Sequence, residues 1–62
     1  MRISEIITDK QECKLHHPIV GNVKWKNCPI DGWVLIFAEG PEQGQVLMVD
    51  ETVLLDDRWQ KS

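Results

Sequence analysis

Four side chains in the first half of this chain carry donor atoms suited to metal chemistry: Cys13, His16, His17 and Cys28. Thiolate sulfur and imidazole nitrogen are the usual zinc ligands, and Cys13-x-x-His16 is a workable local spacing for two of them. A bound ion would also stabilise so short a chain. Cys28 has no paired ligand close by, so a fourth position would fall to His17 or Asp31. The plainer reading makes both cysteines small buried hydrophobes and both histidines surface or cap residues, and on that reading no metal or cofactor is expected. Cys13 with His16 is also the nearest approach to a nucleophile and its base, but no third group is evident to orient the imidazole. A chain of 62 residues seldom encloses a substrate-sized pocket, so no catalytic residue is assigned and no enzymatic activity is expected.

Aromatic residues are the next candidates, because tryptophan anchors partners and stacks on bases or prolines. Trp25 follows an inward alternation and Phe37 sits within an apolar run, so both are expected in the core. Trp33 follows a turn, and Trp59 stands beside Arg58 and Lys61 in a polar stretch. These two are expected to show a face to solvent.

Charge is uneven along the chain. Residues 1–30 hold five basic and three acidic side chains, net +2, and residues 31–62 hold two basic and seven acidic, net −5. An isoelectric point near 5.1 argues against broad phosphate binding, which relies on clustered lysine and arginine. The acidic half instead suits a partner with a basic surface. Glu39, Glu42, Asp50 and Glu51 fall in or beside expected turns.

The elements that position these residues must be short. Ile3, Ile6, Ile7 and Lys10 fall at helical spacing, and Ser4 can cap a helix over residues 4–14. The β-branched run Ile6-Ile7-Thr8 also suits a strand. His17 precedes Pro18 and is biased to extended backbone. Alternation predicts a strand over 19–26, with Val23 and Trp25 inward. Asn27-Cys28-Pro29-Ile30-Asp31-Gly32 is the strongest hairpin signal. The run 33–38 is apolar on both faces, as a central strand would be. After the Gly40-Pro41 turn, strands are expected over 45–49 and 52–55, followed by a polar tail at 56–62.

A single domain over residues 1–62 follows, mostly β with one short N-terminal helix. The fold class is α+β: a small SH3-like barrel or a curved antiparallel sheet of roughly three to five strands. The N-terminus lacks the pattern of a signal peptide, and the longest apolar run is six residues, against about 20 for a bilayer span. The expectation is a cytoplasmic protein with no membrane partner.

The function expected is a non-enzymatic protein–protein interaction module, or a small regulatory or accessory protein. It would bind its partner through an aromatic and acidic face of Trp33, Trp59, Glu39, Glu42, Asp50 and Glu51. The alternative is a nucleic-acid-binding small β-barrel using Lys14, Lys24, Lys26 and Trp25. The second alternative is a zinc-stabilised domain held by Cys13, His16, His17 and Cys28. A homodimer formed through an open sheet edge is compatible with either binding function.

Overall fold

The computed structural model describes residues 1–9 and 11–62. Its elements in chain order are α1 (Ile3–Ile6), β1 (Cys13–His17), β2 (Gly21–Cys28), β3 (Gly32–Phe37), α2 (Glu51–Leu55) and β4 (Gln60–Lys61). The four strands form one antiparallel sheet in the order β3-β2-β1-β4. β3 and β4 lie at opposite edges, so the sheet is open and does not close into a barrel.

Both hairpins share one solution. His17 pairs with Gly21 across the loop 18–20, and Cys28 pairs with Gly32 across the loop 29–31. Each loop holds a proline and is followed by a glycine at positive φ, 91° at Gly21 and 74° at Gly32. That conformation is open to glycine without a Cβ penalty, and it returns the chain to the ladder after a three-residue loop. The first turn is also held by a side chain, since the Ile19 and Val20 N–H groups donate to His17 Nδ1 at 3.1 and 3.2 Å.

Register places Leu15 opposite Val23 and Val23 opposite Phe37, with Cys13, Trp25 and Leu35 in the next row. These residues share one face. Leu15, Val23 and Leu35 are buried there, and Ile3 and Trp59 complete the core. Ile6 from α1 and Val53 from α2 pack against the same cluster, so both helices cover this inner face. Among the described residues, the opposite face carries no helix.

Several expected elements take another form. The helix expected over 4–14 is only α1, capped by Arg2 rather than Ser4, and the Arg2 N–H donates to Glu5 Oε1 at 2.8 Å. The backbone is already extended at Ile7, in keeping with the β-branched run. Lys10, expected on the helical face, lies outside the described residues. Residues 13–17 form β1, because Leu15 and His17 alternate into the core as strand neighbours of β2. The strand expected over 19–26 runs from Gly21 to Cys28, displaced by the turn at Pro18. The hairpin expected at 27–32 is the β2–β3 connection, and the strand expected at 33–38 is β3, which lies at an edge of the sheet rather than at its centre because only β2 pairs with it along its length.

The expected strand 45–49 reduces to one bridge, Val46 with Ile36. The expected strand 52–55 is instead α2, started by Asp50, whose side chain accepts from the Val53 N–H at 3.0 Å. This is the N-cap role for which aspartate is suited. The expected polar tail supplies a core residue and β4. No helix among the described residues is long and apolar enough to cross a membrane.

Candidate functional site

Trp25 and Trp33 lie on the inner face of neighbouring strands, one diagonal step apart, and their rings stack at 5.6 Å with 24° between planes. They line a groove of about 530 Å³ at the β3 side of the sheet, with Ile3 and Ser4 of α1, Leu54 of α2 and the segment Val46–Val49 as its other walls. The lining is mostly apolar. Met48 is 82% exposed, and Val46, Val49 and Leu54 are exposed as well.

The backbone explains why this segment stays open. Ala38 N–H donates to Asn22 C=O, so even-numbered β3 residues bond to β2 and odd-numbered ones face the sheet edge. On that edge Phe37 is engaged by Gly44 and Gln45, and Leu47 N–H donates to Leu35 C=O at 2.7 Å. There the pairing stops. Among the described residues, no backbone group bonds Trp33 on its outward side. The groove thus combines an aromatic floor with a free strand edge.

Asp50 and Glu51 follow Val49 directly and are exposed. Glu39 and Glu42 lie beyond the other end of β3, roughly 20 Å from Trp33 along a strand, and Glu39 accepts from Asn22 Nδ2 at 2.9 Å. The four acidic residues therefore do not form one face. Trp59 does not join Trp33 either: it is 1% exposed, with His17 against its ring at 4.7 Å. A partner cannot reach it in this fold, which corrects the expectation that it shows a face to solvent.

His17 is buried and both of its ring nitrogens are engaged. Nδ1 accepts from the turn, so Nε2 carries the proton and donates to Asp56 Oδ2 at 2.8 Å. Arg58 grips the same carboxylate through its side chain, with Nη2 at 2.8 Å and Nε at 3.1 Å, and through its backbone N–H. Those hydrogen bonds, Arg58 first and His17 after it, hold the Asp56 carboxyl well below the usual range, and Asp56 in turn raises Arg58. This network ties the first hairpin to the C-terminal segment.

The cysteine and histidine set is dispersed. Strand parity puts Cys13 and His17 on the inner face and His16 on the outer one. Cys13 pairs with Trp25, so Cys28 stands three residues further along β2, about 10 Å away. Among the described residues, no three of His, Cys, Asp and Glu are placed to hold a metal ion. Burial raises the Cys13 thiol pKa, which lowers its thiolate fraction, and His16 on the opposite face is not placed to act as its base.

Lys14, Lys24 and Lys26 do converge, all exposed on the outer face. Trp25 lines one depression with them, although strand parity puts its side chain on the inner face, where its ring stacks on Trp33. Sequence reasoning missed Met48, Val49 and Leu54, which it placed within strands. Their exposure depends on where pairing along β3 ends, and no local signal in the sequence marks that point. Compared with known proteins, the chain matches no family model, no curated protein and no solved structure.

Proposed function

We propose that this chain is a non-enzymatic interaction module whose groove takes an extended, apolar segment of another protein, flanked by lysine or arginine. One observation carries the reading. Among the described residues, five of the eight exposed large apolar side chains, Val46, Met48, Val49, Leu54 and Leu55, fall between residues 46 and 55, and the first four line the groove with the stacked tryptophans. Apolar surface concentrated in this way marks interaction sites more often than scattered exposed residues do. The free edge at Trp33 offers main-chain hydrogen bonds to an added strand, and the groove offers a pocket for its alternate side chains.

Charge selects the partner's flanks. Asp50 and Glu51 follow Val49 directly and are exposed, and no lysine or arginine lies between residues 45 and 55, so basic flanks are attracted and acidic ones are excluded. The same acidity disfavours pairing two copies of this face.

Selection from a library of random short peptides tests the proposal. The expected consensus alternates apolar residues between lysine or arginine flanks, and Met48→Asp weakens the selected peptide about tenfold, or about 1.4 kcal/mol. Failure to enrich any sequence contradicts the proposal. So does a consensus indifferent to both Met48→Asp and Leu54→Asp.

A further inference from the structure

The outer face of the sheet has a composition unlike the groove. Register sets Lys14 directly opposite Lys24, with Lys26 two residues further along β2, roughly 7 Å on. Like charges directly opposite on neighbouring strands oppose sheet formation. No carboxylate lies within ion-pairing distance of these three lysines among the described residues. Beside them, Ile36 lies opposite Lys24 and Val34 opposite Lys26, and both are half-buried. Asn22 and His16 continue the face, joined by a 2.8 Å hydrogen bond. Glu12 and Glu39 bound the patch at its ends.

Both helices pack on the other side, so this face lies open across three strands. Shallow depressions occur between its lysines, one of them about 270 Å³ and lined by Lys14, Lys24 and Lys26 together with Glu12, Cys13 and Trp25. We propose that the uncovered face binds single-stranded nucleic acid, with Lys24 and Lys26 at successive phosphates, Lys14 beside Lys24 at the next, and the aliphatic surface of Val34 and Ile36 beneath the bases. The two-residue step from Lys24 to Lys26 is comparable to the step between phosphates of a stretched strand. Among the described residues no element projects from this face to enter a duplex groove, whereas a flat, basic sheet surface accommodates an unpaired strand. The site is separate from the groove and does not depend on it.

The probe is a fluorescein-labelled oligothymidylate, followed by anisotropy with the intact protein. Neutralising three phosphates on a single strand predicts that log K falls with log salt at a slope of about −2, or about tenfold weaker binding from 50 to 150 mM salt. Lys24→Glu abolishes binding and leaves folding intact, since it replaces a like-charge pair with an attractive one. Lys14→Gln with Lys26→Gln provides a second, milder loss. Met48→Asp, on the other face, leaves the affinity unchanged. The proposal is overturned by no anisotropy change at low salt, by a slope near zero, or by a Lys24→Glu variant that is folded and binds as before. Equal binding of polyglutamate, or of duplex DNA, overturns the assignment to single strands.

Discussion

Replacing Trp59 with alanine tests the packing most severely, because every residue around Trp59 in sequence is polar. Its side chain is nevertheless 1% exposed and is the largest fully buried one. Truncating a buried tryptophan costs about 3–5 kcal/mol in lost transfer energy and residual cavity. A chain of this size has roughly 3–9 kcal/mol of total stability at 0.05–0.15 kcal/mol per residue. Trp59→Ala should therefore remove most of the stability and lower the midpoint by roughly 12 °C or more. Its ring also carries a buried N–H with no acceptor, a group whose burial costs about 1–3 kcal/mol. Trp59→Phe loses some contact and removes that orphan donor, so its net cost should be about 1 kcal/mol. Thermal and urea unfolding followed by circular dichroism measure both variants. A Trp59→Ala protein that melts within about 3 °C of the parent would refute the placement of this residue in the core, and with it the account of β4.

Other outcomes follow from named contacts. His17→Ala removes the acceptor for two turn N–H groups and the donor to Asp56, and should cost about 2–4 kcal/mol in urea unfolding. Gly32→Ala meets no atom within 4 Å, so its cost is the positive φ alone, about 1–2 kcal/mol, and Gly32→Asn should cost less. Asp56 has a lowered carboxyl pKa in the folded state, so its contribution is complete above the unfolded value near 3.9 and is lost as pH falls below it. Asp56→Asn should therefore flatten the acid limb of a stability profile measured below pH 5. Met48→Asp should leave stability within about 0.5 kcal/mol, which separates its effect on peptide binding from any effect on folding.

The parts of this fold that were legible in the sequence are those fixed by local chemistry. Pro29 and Gly32 bracket a turn whose geometry only such residues favour, and the apolar run Trp33 to Phe37 marks a strand, although its place at the edge of the sheet was not legible. Illegible parts depend on distant partners. His17 looks like a surface residue until Asp56, 39 positions away, comes within hydrogen-bond reach. Trp59 looks solvated until the two-residue β4 returns beside β1. Thr52 to Leu55 is β-branched enough to suit a strand, and one aspartate cap tips it to a helix. The groove was half legible: Trp33 was identified, whereas Trp25 was expected in the core or beside the lysines, and Val46–Val49 in a ladder that ends after one bridge.

Backbone amide shifts in a 15N-labelled sample, titrated with the lysine-flanked apolar peptide, test the central claim most directly. The account predicts saturable shifts at Trp33, Met48, Val49 and Leu54, with the Trp33 amide moving to a hydrogen-bonded position and Lys14 and Lys24 unmoved. Shifts confined to the outer face, or none at peptide concentrations that fill a micromolar site, would contradict it.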